Sequence, residues 1–280
     1  MDTLNSDHLR TFLAIQDAGS VSGGATRINR SQSATSLQIR QLEETVGKPL
    51  FHRHGRGVRL TAAGESLLPV ARRVVRSLDS ALSELRGGGL TGRLRMGMPD
   101  DYGRAELTTI IADFAARHPD VELDVHCALG SGFETALDTG ALDLAVREVP
   151  RPSRHDRILR EGNLMWMGSG DRDFTDIDPL PVALFDRDCW WRDLALTSLE
   201  KAGRQYKVIF TSESAAGVKA AARAGVAAAL LNESEATREL QTIADLPQRH
   251  PTFLILERAR GVRGPTLDAM CDTIAKAFSV

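Results

Sequence analysis

A chain of 280 residues with 42% hydrophobic and 26% charged residues is typical of a globular protein of two or three domains. The three cysteines, Cys127, Cys189 and Cys271, are odd in number and far apart, which argues against a disulfide framework or a thiolate zinc site. We therefore expect no metal and no cofactor. No apolar segment is long enough to cross a bilayer and no secretory signal pattern is visible, so we expect a cytoplasmic protein without a membrane partner.

Charge is unevenly distributed along the chain. The formal net charge is −2, but residues 1–95 carry 14 basic and 8 acidic side chains, whereas residues 96–280 carry 21 basic and 29 acidic side chains. A basic N-terminal part joined to an acidic remainder indicates that the first part meets a polyanion such as nucleic acid. The alternative is a basic helix face that is only solvated.

Three helices are predicted within the first fifty residues. Apolar spacing predicts one helix from Asp7 to Gly19, a short second helix capped by Ser20, and a third helix from Ser31 to about Val46. The buried stripe of the third helix would consist of Thr35, Ile39, Leu42 and Val46. Its opposite face is small and polar, as suits contact with base edges and phosphates, and carries Gln32, Ser33, Ser36, Leu37 and Arg40. This is the outline of a helix-turn-helix, although many three-helix domains bind nothing.

The segment after the third helix is basic. Residues 50–61 contain two short extended runs around a glycine-rich turn, with arginines at Arg53, Arg56 and Arg59. A basic hairpin beside such a helix is the plan of a winged helix, whose wing contacts phosphates or the minor groove. The sequence therefore predicts binding to double-stranded DNA.

The run from Ser31 to Glu43 resembles the recognition-helix signature of LysR-type transcriptional regulators, and spaced positions as far as Glu65 match the same family. The resemblance implies that the third helix enters the major groove and that the wing arginines hold the DNA backbone. The predicted DNA contacts also include the cap residues Ser20 and Ser31. The departures from the family pattern bear on the DNA sequence that is read and leave the fold unchanged; they are Gly23-Gly24, Ser33, Thr35 and Leu37.

Thr35 and the two glycines are each unfavourable at their positions unless the fold compensates for them. A threonine in a buried stripe needs a partner for its hydroxyl group, for which a backbone carbonyl one turn back is the candidate. Each glycine in the second helix costs about 1 kcal/mol relative to alanine.

A long amphipathic helix is predicted from Ala62 to about Arg86, with Thr61 as its cap. Pro69 predicts a local kink or the start of the regular part. An apolar seam at three- and four-residue spacing would be covered by a second copy of the chain, through Leu67, Ala71, Val74, Leu78, Leu82 and Leu85. The alternative is packing against the next domain. The family makes its dimer with this helix, so we expect a homodimer or homotetramer, and residues 87–89 would form a hinge.

Strands and helices alternate from residue 92 onward, which predicts a mostly parallel sheet with covering helices. The predicted strands are 93–98, 121–128, 142–146, 181–185, 207–211, 226–231 and 253–257, and the predicted helices are 104–118, 133–139, 190–203, 214–224 and 264–278. The order of segments resembles the effector domain of the LysR family, which has the architecture of a periplasmic binding protein. The predicted fold class is therefore α+α/β: a winged helix-turn-helix at 1–61, a linker helix and hinge at 62–89, and a two-lobed α/β domain at 90–280. Lobe I would comprise 92–164 with 258–280, and lobe II would comprise 165–257.

The resemblance places a small effector in a cleft at the carboxyl ends of the strands. The predicted contacts are Asp100, Asp101, Tyr102, Ser131, Gly132, Phe133, Trp190, Ser212 and Glu213. Helix capping is the competing role for these loops, with Ser131 and Glu134 as a capping box, and packing is the competing role for Trp190 and Trp191. The two aspartates at the first loop leave the charge of the effector open.

These features predict a DNA-binding transcription regulator that a small molecule controls, with RNA polymerase as a candidate partner. One alternative is an architectural DNA binder without effector control, for which the large second half would be unnecessary. An α/β enzyme is disfavoured, because the chain lacks a phosphate loop, a nucleophile elbow and metal-binding His/Glu spacing.

Overall fold

The structure is a computed structural model that describes residues 3–55, 57–85, 90–100, 104–128, 130–154, 156–186 and 189–279. Its first unit, the head, contains three helices and a hairpin: α1 (Ser6–Ala18), α2 (Val21–Arg27), α3 (Gln32–Val46), β1 (Phe51–His54) and β2 (Gly57–Leu60). The predicted caps are confirmed, because the Ser20 hydroxyl accepts a hydrogen bond from the N–H of Gly23 and the Ser31 hydroxyl accepts one from Ala34. Leu9, Phe12, Ile39 and Leu42 form the centre of the head's core.

The glycine pair in α2 is explained by a close approach to α1. A Cβ atom on Gly24 would lie 2.6 Å from Cγ1 of Ile15 and 2.8 Å from its Cα atom. The two helices can therefore come this close only where α2 carries no side chain. The Thr35 hydroxyl, fully buried, donates to the carbonyl of Ser31 at 2.9 Å, as predicted from its place in the stripe.

The linker helix α4 (Ala62–Leu85) runs unbroken through Pro69, so it begins at Ala62 and not at the proline. The Thr61 hydroxyl caps it by accepting a hydrogen bond from the N–H of Gly64 at 3.1 Å. The predicted seam divides into two parts. Ala71 is fully buried in the head's own core, with Leu67 and Val74 packed beside it, so Ala71 is not available to a second chain. Farther along, the exposed fractions are 45% for Leu78, 45% for Leu82 and 86% for Leu85.

The remaining elements alternate between strands and helices. In chain order they are β3 (Gly92–Pro99), α5 (Arg104–Arg117), β4 (Val121–Ala128), α6 (Phe133–Asp138), β5 (Leu144–Val149), β6 (Arg157–Ser169), β7 (Leu180–Phe185), α7 (Trp190–Lys201), β8 (Tyr206–Ser212), α8 (Ala215–Arg223), β9 (Ala229–Asn232), β10 (Leu240–Thr242), β11 (His250–Arg258) and α9 (Pro265–Ala277). The predicted helices are confirmed to within a few residues.

The sheet is mixed, which corrects the expectation of a mostly parallel one. Its strand order is β10-β6-β11-β5-β3-β4, with β9 also paired to β6, and β7 and β8 form a separate parallel pair. Strand β3 runs parallel to β4 and β5, whereas β11 is antiparallel to both β5 and β6. The antiparallel pairs arise because the chain crosses between two lobes on β6 and returns on β11.

Each lobe has its own core. In lobe I, α5 and α9 cover β3, β4 and β5, and Met96, Phe114 and Ile274 are buried there. In lobe II, α7 and α8 pack on β7 and on the second half of β6, around Trp166 and Leu199. Strands β6 and β10 have no counterpart among the predicted strands. The strand predicted at 226–231 is the shorter β9 at Ala229–Asn232, before which Ala228 forms an isolated bridge to Val182.

Linker helix α4 is joined to lobe I by buried polar contacts. Arg76 forms an ion pair with Asp143, whose side chain is only 4% exposed, and donates to the carbonyl of Gly140 at 2.8 Å. Arg72 donates to the carbonyl of Thr139 at 3.2 Å. The other carboxylate oxygen of Asp143 accepts the N–H of Arg95 at 2.8 Å. Asp17 of the head lies 3.8 Å from Arg72 and 4.0 Å from Arg95, so head, linker helix and lobe I meet at one junction.

Candidate functional site

The first candidate site is the outer face of α3. Gln32, Ser33 and Arg40 are exposed, Leu37 is 52% exposed and Ser36 is half-buried. They share this face because Thr35, Ile39 and Leu42 turn the opposite face of the helix into the core. Gln38 has a structural role, since its Oε1 accepts a hydrogen bond from the buried hydroxyl of Thr11 at 2.7 Å. The face offers amide, hydroxyl, guanidinium and methyl groups, which are the groups that read base edges in a major groove.

Hydrogen bonds hold the β1–β2 hairpin to α3 and to the turn after α1. Its entry is fixed by Glu43 of α3, whose carboxylate accepts the N–H of Leu50 at 2.8 Å. On the other side, the N–H of Val58 donates to the carbonyl of Gly19 at 3.0 Å. Arg59 is exposed on β2. Arg56 and the side chain of Arg53 lie outside the described part of the chain, so their predicted phosphate contacts stay predictions.

The second candidate site is a cleft between the two lobes with a volume of about 330 Å³. Lobe I contributes the turn at 130–131, Glu134 and the end of β5, and lobe II contributes Phe185 and the start of α7. Ser131 and Trp190, both predicted from the sequence, line it together. A cavity of this size is within the range that small-molecule sites occupy.

Arg147 is the basic group among the described residues that line the cleft, and it was not predicted from the sequence. Its side chain is 14% exposed and lies between two carboxylates, at 3.2 Å from Glu134 and 3.2 Å from Glu257. Burial raises the pKa of Glu257, and the charge of Arg147 opposes that rise. Arg147 lies within β5, where the sequence pattern indicates only a strand, so no local motif marks it as a site residue.

The two tryptophans at the start of α7 have different roles. Trp191 is 5% exposed and packs edge-on against Phe185, at 5.1 Å between ring centroids, so packing is its role. Trp190 is half-buried and reaches across the cleft, where its Nε1 donates to the carbonyl of Glu148 at 3.1 Å. Glu148 in turn accepts a hydrogen bond from the hydroxyl of Thr252 at 2.7 Å. Trp190 therefore connects lobe II to the middle of the lobe I sheet.

Other predicted effector contacts are placed elsewhere. Phe133 is 4% exposed and packs in a core with Leu137 and Leu142, because α6 turns its first residue inward. Ser212 is turned toward α8, where its hydroxyl accepts the N–H of Ser214 at 3.1 Å, and Glu213 is exposed. Asp100 is exposed at the end of β3, whereas Asp101 and Tyr102 lie outside the described residues.

The predicted capping box of α6 is wrong. The helix begins at Phe133, its cap is Gly132, and no side chain caps it. Ser131 belongs to a preceding 3-10 turn over Gly130–Gly132, which places its hydroxyl before the first turn of the helix. Its side chain is left facing the cleft, and Gly132 lies on a neighbouring cavity toward the junction.

The described residues contain no group of three or more His, Cys, Asp or Glu side chains arranged to hold a metal ion. None of the helices in the same ranges combines the length and hydropathy that a bilayer crossing requires. Burial raises the pKa of the Cys271 thiol, which makes this cysteine a poor nucleophile at neutral pH.

A winged head, a linker helix and a two-lobed domain with a cleft define the plan of a ligand-responsive DNA-binding regulator. Profiles described as "Bacterial regulatory helix-turn-helix protein, lysR family" and "LysR substrate binding domain" match residues 6–65 and 87–279. The regulator DgdR of Burkholderia cepacia is 37% identical over 249 residues, which are 89% of this chain and 85% of DgdR. The chain therefore belongs to the LysR family of transcriptional regulators.

Solved structures have the same fold. ArgP from Mycobacterium tuberculosis superposes with a TM-score of 0.77 at 23% identity, covering 99% of this chain and 98% of that one. LysG from Corynebacterium glutamicum, solved with the effector Arg bound, gives a TM-score of 0.69 at 22% identity over the same shares. As a member of the LysR family, the protein is a DNA-binding transcriptional regulator with an effector-binding domain, and it is not an enzyme.

Proposed function

We propose that the outer face of α3 reads the operator in the major groove. Gln32, Ser33, Ser36 and Arg40 would contact base edges, and Leu37 would pack on a thymine methyl group. Ser20 and Ser31 at the helix caps, together with Arg53, Arg56 and Arg59 of the hairpin, would contact the DNA backbone. The single observation that carries this proposal is the exposed polar face of α3, backed by a buried stripe and flanked by the fastened hairpin.

The effector is proposed to bind in the cleft of about 330 Å³ between the lobes. Ser131 and Trp190 remain proposed contacts, and Arg147, Glu134 and Glu148 join them. Asp100, Asp101 and Tyr102 stay predicted contacts, and the last two lie outside the described residues. LysG, which has the same fold, was solved with its effector Arg bound. A ligand that bridges Arg147 of lobe I and Trp190 of lobe II would favour one arrangement of the lobes, which is how a small molecule shifts an equilibrium.

The exposed end of α4 is proposed to make a homodimer, from which a homotetramer can be built. Leu78, Leu82 and Leu85 would form the contact, and Leu67, Ala71 and Val74 would support the helix from the head. The proposed division of the chain keeps the head at 1–61, the linker at 62–89 and the effector domain at 90–280, with lobe II at 165–257. Contact with RNA polymerase and a cytoplasmic location are further parts of the proposal.

The test is a fluorescence anisotropy titration of the full chain on a duplex from the region beside its own gene. A scrambled duplex of equal length runs beside it, at roughly physiological salt. We expect binding to the native duplex to be about a thousandfold tighter than to the scramble. Absence of binding to either duplex, even at low salt, would remove the proposed role of α3.

A further inference from the structure

We infer that a cavity at the junction of head, linker helix and lobe I binds a phosphate oxyanion, either free or as the ester of a small molecule. This junction cavity has a volume of about 440 Å³ and is separate from the cleft between the lobes. Asp17 and Arg27 of the head line it, with Arg72 from α4 and Arg95 from β3. The inference does not depend on which DNA or effector the protein binds.

Three guanidinium groups share one carboxylate in this cavity. The distances to Asp17 are 3.5 Å from Arg27, 3.8 Å from Arg72 and 4.0 Å from Arg95. A charge-assisted hydrogen bond between such groups is normally about 2.7–2.9 Å long. The three arginines therefore surround Asp17 without closing on it, and one negative charge faces three positive charges.

Arg93, Asp124 and His126 also line the cavity, and the acidic groups other than Asp17 are already paired. Asp124 pairs with Arg93 at 2.5 Å and lies 3.3 Å from Nε2 of His126. Asp143 is held by Arg76 and by the N–H of Arg95. Among the described groups, the set of Arg27, Arg72, Arg95 and Asp17 thus keeps an excess of two positive charges, which matches the charge of a phosphate dianion.

The pKa values of two arginines at the junction reflect the same excess of positive charge. Burial, followed by the charges of Arg95 and Arg72, lowers the pKa of Arg76 to about 10. Burial also lowers the pKa of Arg72; Asp17 opposes this effect and Arg95 adds to it. Repulsion among these arginines would be relieved by a bound anion.

The shape of the cavity suits a small molecule that carries an oxyanion. The side chains of Arg72 and Arg95 are 13% and 24% exposed, so their interaction with an anion is only partly screened by water. Guanidinium groups bind phosphate through paired hydrogen bonds. Phe133, Ala136 and Leu142 supply an apolar wall against which an organic group can pack.

A bound anion would hold three parts of the molecule together. It would contact the head through Arg27, the linker helix through Arg72 and lobe I through Arg95, so it binds only where these parts are assembled. By mass action it therefore stabilises that arrangement. The turn over Gly130–Gly132 extends the connection, because Ser131 lines the effector cleft and Gly132 lines the junction cavity.

Isothermal titration calorimetry of the full chain with inorganic phosphate and with phenyl phosphate tests the inference. The ionic strength is held constant with sodium chloride. We expect Arg95→Gln and Arg27→Gln each to raise the Kd at least about tenfold, as removal of a charge-assisted contact should. Arg157→Gln is the matched control, because Arg157 is 50% exposed and pairs with Asp272 on another face. Arg40→Gln controls for phosphate bound on the DNA-reading face. Both controls should bind as the parent does.

Three outcomes would overturn the inference. The first is that neither probe binds. The second is that Arg157→Gln raises the Kd as much as Arg95→Gln and Arg27→Gln do. The third is that Arg40→Gln raises the Kd by the same factor, which would locate the phosphate on the DNA-reading face. Arg27 is 52% exposed, so Arg27→Gln keeps the test valid should Arg95→Gln fail to fold. Tighter binding of phenyl phosphate than of inorganic phosphate supports an ester as ligand, and equal binding supports the free anion.

Discussion

Gln32 stands in the first turn of α3, and Gln41 lies on the same helix, half a turn away around its axis. Both side chains are exposed, so neither contributes to the core. If Gln32 reads a base, Gln32→Ala should cost about 1–3 kcal/mol of binding free energy on the native duplex and leave the scrambled duplex unaffected. Anisotropy titrations of both duplexes measure this difference.

Gln41→Ala is the matched control and should bind both duplexes as the parent does. If Gln32→Ala weakens binding to both duplexes equally, Gln32 positions the helix and carries no sequence information.

Gly24 allows the close approach of α1 and α2, and its replacement should show this in the free energy of unfolding. Alanine normally stabilises a helix relative to glycine by up to about 1 kcal/mol. Here the added methyl group would meet backbone atoms of Ile15 at 2.8 and 2.9 Å, so the clash should dominate. We expect Gly24→Ala to lower the free energy of unfolding by about 1–3 kcal/mol in urea denaturation.

Gly132→Ala is the control for this experiment, because a Cβ there meets nothing within 4 Å and the backbone has φ −83°. This variant should unfold at the same urea concentration as the parent. A stable Gly24→Ala variant would mean that α2 can shift away from α1 at little cost.

At the scale of elements, the exposed end of α4 carries the oligomer prediction. Leu78 and Leu82 are each 45% exposed, although the same seam is buried in the head at Ala71. Leu78→Asp places a charge on this apolar surface and should shift the protein from dimer to monomer in light scattering. Ser66→Asp, an exposed position on the same helix, should stay dimeric. A dimeric Leu78→Asp variant would mean that another surface holds the copies together.

His250 at the start of β11 predicts a dependence of stability on pH. Burial lowers the pKa of His250; a hydrogen bond to the carbonyl of Pro247 opposes this shift, and the charge of Lys201 adds to it. Its Nε2 is buried without a hydrogen-bond partner among the described residues. The unfolded chain therefore takes up the proton at higher pH than the folded chain, so stability falls as the pH drops from 6.5 toward the folded pKa.

Urea midpoints of His250→Gln at about pH 7.5 and pH 5.5 test this prediction. We expect the variant to lose less stability than the parent between the two conditions. His52→Gln, on the exposed side of the hairpin, should lose as much as the parent. Equal losses in all three proteins would show that His250 is not the responsible group.

The elements show what sequence patterns could and could not predict. The helices of the head were predictable because caps and apolar spacing are local signals, as Ser20 and Ser31 illustrate. Strand β6 was missed because its pattern changes along its length. It begins largely exposed beside β11 and becomes mostly buried from Leu164 onward, where it enters lobe II. Neither strict alternation nor a continuous apolar run describes such a strand.

The candidate site divides in the same way. Ser131 was predicted because the resemblance places its loop at the cleft, and Trp190 because paired indoles offer a stacking surface. The position of Arg147 in the cleft depends instead on contacts with Glu134 and Glu257, which no local sequence pattern reveals. Phe133 was predicted as an effector contact because the resemblance places its loop at the cleft, but in the structure its ring packs in a core with Leu142. Contacts between segments that are distant in sequence can be identified only once the fold is known.

At the scale of the whole molecule, the Arg76–Asp143 ion pair joins the linker helix to lobe I. The exposed fractions of the two side chains are 20% and 4%. Removing one member of a buried pair leaves the other charge uncompensated, at a cost of about 3–5 kcal/mol. Asp143→Asn should therefore lower the free energy of unfolding of the effector domain by up to that amount in urea denaturation.

The double variant Arg76→Met with Asp143→Asn should recover most of this loss, because it removes both charges together. Additive losses in the double variant would show that the two residues act independently. Asp124→Asn, in the more exposed pair with Arg93, should cost less than about 1 kcal/mol.

The two crossings on β6 and β11 make lobe II an insertion within lobe I. Lobe I takes β3, β4 and β5 from before the insertion and α9 from after it, and α9 buries Leu267, Met270 and Ile274 against the rest. During synthesis the head, the linker helix and lobe II can all be complete while lobe I still waits for α9 to leave the ribosome. A premature stop codon shortly before α9 would therefore yield a folded head attached to an unfinished lobe I, a product that could occupy operators without responding to its signal.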